Sequence, residues 1–351
     1  MQEKSKIIGK LLNVDCRATG IGSMPHTDIN YVCDLILDKC PDIPFWPQLP
    51  RVDPRENMII QFSENLPYLK LNSEKKSIHY EDVADREDRL LRCYDYIVSN
   101  DYDYFKLSED YARGFYPLLE KSKKKSNLFI KGQVVGPVTF LASIEGKEKA
   151  LIYDNVASDT ILMFLGMKGL WQAKQIKKIG KIPIIFYDEP YLSSFGSAYF
   201  PLEKEKIVSM INNLVDFIKE REKEILVGIH CCGNTDWGMI LETKIDIISF
   251  DSYGFSKYFV LYADEIKRFL ERDGIIAWGA VPTTEYSDSI SLEILHQKLD
   301  ETLEVLVKKG LDRRLLLRNS LFTPSCGVGL AEEKISEKII DLVSNLSGYF
   351  V

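Results

Sequence analysis

The chain has 351 residues, 45% of them hydrophobic and 28% charged, the balance of an ordinary globular protein. Its net charge of −7 argues against a nucleic-acid surface, which needs a clustered basic face. No apolar run reaches the roughly 18–20 residues of a membrane span, so no membrane partner is expected.

Residues 1–10 (MQEKSKIIGK) are charged and lack the apolar core of a secretion signal. The seven cysteines follow no secreted-domain spacing. Together these features predict a reducing, cytoplasmic setting in which cysteine is buried or a ligand. Cys16, Cys33, Cys40 and Cys93 carry no spacing signal and read as small buried residues. His79 and His296 read as ordinary surface or helix histidines, and Trp46 as a core or pocket-wall residue.

Along the chain, apolar runs ending in turn residues alternate with amphipathic stretches. Residues 17–28 (RATGIGSMPHTD) read as a strand entering a loop. The basic run at 121–126 (KSKKKS) reads as a solvated helix end. Strand-like runs follow at 127–137, 181–190, 224–234, 244–254, 274–282 and 314–329. Residues 202–223 place apolar side chains at 207, 208, 211, 214, 215 and 218, one greasy helical face. Residues 291–310 behave likewise and stop at Gly310, a helix C-terminal signal.

Nearly continuous apolar strands between amphipathic helices predict an α/β fold with a covered parallel sheet. With about eight such units, no linker and no dinucleotide-binding glycine fingerprint, residues 1–351 read as a single (β/α)8 TIM barrel domain. Active sites of such barrels lie at the C-terminal strand ends. Those ends carry Ser23 to Thr27, Asp188, Glu189, His230 to Asn234, Asp251, Pro282 to Glu285 and Cys326.

The stretch VGIHCCGN is the most pointed of these. Strand alternation turns His230 and Cys232 to one face and Cys231 to the other. A His and a Cys at a strand mouth can bind a metal, act as base and nucleophile, or simply be buried. Adding Asp251 and Cys326, the latter in TPSCGVG, makes one imidazole, two thiols and a carboxylate, a credible zinc set.

Taken in order, GIGSMPHTD, FYDEP, IHCCGN, DIISFD and TPSCGVGL resemble the C-terminal catalytic barrel of cobalamin-independent methionine synthase. That family belongs to a superfamily with uroporphyrinogen decarboxylase and the corrinoid-linked zinc methyltransferases. The resemblance implies Zn2+ held by His230, Cys232 and Cys326, with Asp251 standing where the family has a glutamate. It places the thiol substrate against Ile21, Gly22 and Ser23 and its amino group on Asp188, in the same motif as Glu189. Coordination would strip the thiol proton, which a free thiol of pKa roughly 8.5 mostly keeps at neutral pH. The methyl donor would be a methyl-folate or a methyl-corrinoid protein.

Three departures accompany the resemblance. The family's folate-binding N-terminal barrel has no counterpart in 351 residues. A family glutamate that contacts the thiol substrate matches Gln61, with Glu64 three residues later. A family histidine expected just after the seventh strand is missing from AWGAVPTTEY, where Glu285 or Tyr286 occupies that neighbourhood. His26 is a candidate acid/base or a loop-bonded histidine. Arg17, Arg51 and Arg55 do not make the decarboxylase branch's arginine motif. A non-catalytic zinc- or thiol-binding partner protein is the remaining alternative.

Overall fold

Six of the apolar runs form the strands of one parallel sheet in the computed structural model, which describes residues 2–67, 69–72, 77–80, 85–144, 151–197, 200 and 202–350. A small antiparallel hairpin comes first, β1 (Leu69–Asn72) and β2 (Ser77–Tyr80). The large sheet follows as β3 (Phe129–Val135), β4 (Ile182–Asp188), β5 (Leu226–Cys231), β6 (Ile247–Phe250), β7 (Ile275–Val281) and β8 (Ser320–Pro324), paired in sequence order. Helices such as Asn155–Lys178, Lys204–Arg221 and Leu292–Lys308 return the chain between strands. The last of these is followed by Gly310 at φ +94°, a conformation that favours glycine.

The eight-stranded barrel of the sequence reading is not closed: among the described residues the parallel ladder has six strands. Two N-terminal segments lie beside its edges through isolated bridges, Ala18 to Phe322, Ser23 to Gln48 and Phe45 to Lys131. Composition explains why they stop at bridges. Pro44, Pro47 and Pro50 remove ladder donors from the second segment, and Gly20 and Gly22 weaken the first. The fold is therefore TIM-barrel-like rather than a complete (β/α)8 ladder. The hairpin β1–β2 is an addition that the apolar periodicity gave no hint of.

Alternation along each strand divides the core in two. Ile130, Ile185, Val227, Ile248, Ile276 and Phe322 pack outward against the helices. Phe129, Ile184, Phe186, Leu226, Ile247, Ile275 and Leu321 fill the interior at the N-terminal ends. There they meet Ile7, Ile8 and Leu11 of α1 (Gln2–Leu11), which lies across the base. Gly228 makes room for the Phe186 ring, whose Cδ1 would stand 2.6 Å from an added Cβ. Two polar side chains enter the interior at this level, Lys131 and Gln133 of β3, which pair in register with Ile184 and Phe186. Among the described residues no helix is long and apolar enough to cross a membrane.

Candidate metal centre

The strand registers set the site. Asp188 pairs with His230, and His230 with Ser249, so three inward positions lie side by side on β4, β5 and β6. Cys232 follows His230 on the same face, just past the end of β5. Cys231 points the other way, into the helix-facing core. Cys326 arrives from the loop after β8. That loop is laid against Ser23, whose carbonyl accepts from Val328 N at 3.0 Å and whose Oγ accepts from Gly329 N at 3.4 Å. A Cβ on Gly327 would stand 2.1 Å from Ser23 Oγ, so a larger residue there would displace that hydroxyl.

The structure brings His230, Cys232 and Cys326 together, their ligand atoms all within 4.8 Å of one another. His230 is buried; its Nδ1 lies 3.0 Å from Ser249 Oγ, and its Nε2 has no partner. Cys232 is pushed down to about 4, first by the Cys326 thiol and then by His230, while Cys326 is driven up by the same contact. The contact between the two sulfurs thus favours the thiolate at Cys232 and the thiol at Cys326. An orphaned imidazole nitrogen beside a ready thiolate and a second thiol fits a soft divalent ion such as zinc. A zinc ion held by three protein ligands would be of the kind that takes water or substrate as a further ligand.

The cluster lies in the wall of a 300 Å³ cavity lined also by Ile21, Ser23, Gln48, Glu56, Met58 and Asp188. Asp188 Oδ1 is buried without a partner, and burial raises its carboxyl to about 6 against the pull of Lys131 and His230.

Other candidates sit elsewhere. Asp251 is outside the cluster: its carboxylate caps the helix Ser252–Phe259, accepting from Gly254 N at 2.7 Å. Glu189 accepts from Val138 N at 2.9 Å and Thr139 N at 2.7 Å, at the start of the helix Pro137–Ser143. His26 faces the C-terminal helix, with Nε2 3.3 Å from Glu337 Oε1. Gln61 bridges Gln48 Nε2 at 2.6 Å and the Tyr111 carbonyl at 2.5 Å, behind the cavity wall. Glu64 accepts from Ser108 N at 2.9 Å.

Three residues with a place at or around the site were given no role by the sequence reading: Glu56, Ser249, which lies within DIISFD, and Lys131. Glu56 lines the cavity, its carboxylate accepting from Leu49 N at 2.6 Å and Arg113 N at 2.9 Å. Nothing in DPRENM marks it out. Ser249 gave a signal in its spacing, since an inward Ser on the strand beside His230 is placed to orient the ring. A lysine inside the apolar run FIKGQVV was also legible as an anomaly.

Ser249→Ala is expected to lower zinc affinity by about 10- to 100-fold, the usual cost of losing a ligand's orienting partner. Competition with a zinc-binding dye reads this directly, and unchanged affinity would refute the orienting role.

Glu56 and Glu189 are both lifted by burial from 4.5 to about 7. Their folded values exceed their unfolded ones, so the stability they contribute is fully present below about 4.5 and is lost as pH rises through about 7. Metal-free protein should therefore resist urea better at pH 5 than at pH 8. Glu56→Gln should flatten that slope; an unchanged slope would exclude Glu56 as a source.

No family model matches the chain, and no curated protein matches it. Among solved structures it is similar to a protein of Listeria monocytogenes assigned as a candidate vitamin-B12 independent methionine synthase. The match has a TM-score of 0.52 at 14% identity and covers 93% of this chain and 86% of that one. It shows a likeness of fold. The endo-1,4-beta-mannanase of Rhizomucor miehei also matches, at a TM-score of 0.28 and 11% identity over 72% of this chain and 92% of that one, too distant to carry an argument.

Proposed function

We propose that this chain is a zinc-dependent methyltransferase that moves a methyl group onto a thiol, homocysteine or a related compound. The observation that carries this reading is the convergence of His230, Cys232 and Cys326 on the wall of a cavity. Bound there, zinc would supply the positive charge that keeps a substrate thiol deprotonated yet nucleophilic. The chain's own residues supply the rest. Ser249 holds the His230 ring with Nε2 free, and Cys232 already carries thiolate character. Ile21 and Ser23 form one wall of the seat, and Asp188 offers an unpartnered carboxylate oxygen to an amino group. Glu189 and Asp251 act at one remove, tying down the helix starts beside the site. The donor is a methyl-folate or a methyl-corrinoid protein. All the described cysteines are free, which suits a cytoplasmic protein with thiol ligands.

A second reading is a zinc- or thiol-binding partner protein without turnover. It is favoured by the histidine-free loop after β7 and by the engagement of Asp251 as a helix cap. Zinc-loaded protein incubated with homocysteine and either methyl-tetrahydrofolate or methylcobalamin separates the two. Thioether formed over many turnovers supports the transferase; stoichiometric thiol binding with no thioether from either donor supports the partner protein.

A further inference from the structure

Cys326 reaches the cluster from beyond the end of β8, where the ladder no longer holds the chain. Pro324 closes that strand and has no N–H to give to a neighbour. The pairing of β7 with β8 also slips at this point. Gly279 stands opposite Thr323 but Val281 opposite Pro324, so Ala280 is an extra residue on β7. A bulge of this kind bends its strand and re-aims the residues beyond it, here those leading to Thr283. Gly279 lets the neighbouring strand ends close in: an added Cβ would stand 2.4 Å from the Phe250 carbonyl oxygen and 2.9 Å from Ser325 Cα.

Past the slip, one backbone bond and a pair of hydroxyls join the two strand exits. Ser325 N donates to the Val281 carbonyl at 2.8 Å. Ser325 Oγ accepts from Thr283 N at 3.2 Å and lies 3.2 Å from Thr283 Oγ. Ser325 is buried and Thr283 half-buried, so water competes little for these bonds. A few residues on, Ser23 holds the chain from the other side through Val328 N and Gly329 N. Cys326 is thus braced before and after. Metal–ligand distances are fixed to within about 0.2 Å, which a sulfur on an unbraced loop does not meet. Ser325 and Thr283 are not among the residues lining the cavity, so their effect on a bound ion is exerted through Cys326.

We propose that Ser325 and Thr283 are positioning residues of the metal centre: their hydroxyl pair fixes the chain beside Cys326 and so sets the angle at which its sulfur meets the ion. This rests on the metal-binding reading of His230, Cys232 and Cys326. It gives the loop after β7 a part in the site that needs no histidine.

The test compares Ser325→Ala, Thr283→Val and Thr283→Ser with wild type. It reads zinc affinity by dye competition and the sulfur-to-cobalt charge-transfer band of cobalt(II)-loaded protein. Ser325→Ala removes both bonds and is expected to lose about 10-fold or more in zinc affinity, the scale of losing a ligand's supporting partner, and to weaken the band. Thr283→Val keeps the shape and the N–H but not the hydroxyl, and should lose a smaller part of both. Thr283→Ser restores the hydroxyl and should return both to wild-type values. A side chain that only stabilises the fold would lower the urea midpoint and leave affinity and band unaltered. That result in Ser325→Ala or Thr283→Val overturns the role, as does a Thr283→Ser that loses as much as Thr283→Val. Thr283→Val carries the test if the alanine variant does not fold. A wild-type protein that takes up neither zinc nor cobalt overturns the metal reading and this inference with it, whereas metal-binding wild type with unaltered variants overturns this inference alone.

Discussion

His230→Ala, Cys232→Ser and Cys326→Ser will each abolish stoichiometric zinc binding, measured as metal content after loading and gel filtration. The three residues come from the β5 mouth and the loop after β8, nearly a hundred residues apart in sequence, and converge within 4.8 Å. Loss of one leaves two ligands for an ion that structural and catalytic sites hold with three or four. The expected drop exceeds the roughly 100-fold that even an orienting partner is worth. The common response of all three variants is the informative part. A single variant that loses metal while the others keep about one zinc per chain would mean that the three do not share an ion. Serine at 232 or 326 is nearly isosteric, so their melting behaviour without metal should stay close to wild type.

The largest effect on stability is expected at Phe186. This ring is buried in the sheet interior, takes the space left by Gly228 and lies under the Lys131 ammonium. Phe186→Ala removes it from a layer with little freedom to collapse, because strand spacing is fixed by the ladder on both sides. The cost should be about 3–5 kcal/mol, near the upper range for aromatic truncation. That is a large share of the roughly 5–15 kcal/mol that stabilises a typical domain. Denaturant unfolding would measure it. A loss under about 1 kcal/mol would show that the floor repacks.

Both positions illustrate what could be read from the sequence. All six strands of the large sheet are mostly apolar runs, so burial on both faces was written in composition. The two N-terminal segments were legible as extended chain but not as bridges, because their prolines and glycines act through the absence of ladder bonds. The His230/Cys232 pair was legible because alternation along a strand is a strict rule. Cys326 joined them through a motif with a resemblance, not through any spacing. Asp251 shows where such reading stays open: a carboxylate at a strand end serves a metal or a helix start equally well, and one of its oxygens accepts from Gly254 N at 2.7 Å. Glu189 was taken for the same reason by Val138 and Thr139. His26 and Glu64 were reached by loop geometry, which no periodicity encodes. Lys131 was visible throughout as a charge in an apolar run, but its partner is a backbone carbonyl more than a hundred residues away.

The helix α1 across the base has a kinetic consequence. Among the described residues, Ile7, Ile8 and Leu11 pack against the lowest interior layer and cover the base of the sheet, away from the cavity at the strand mouths. On that geometry two reactants enter from the side of the strand mouths, and the one seated deeper must enter first. On the proposed reading the thiol takes the inner seat beside the cysteines, so a donor arriving early bars its way. Turnover should follow a compulsory order, with excess methyl donor inhibiting competitively against thiol and the methylated product leaving only after the spent donor has cleared the door.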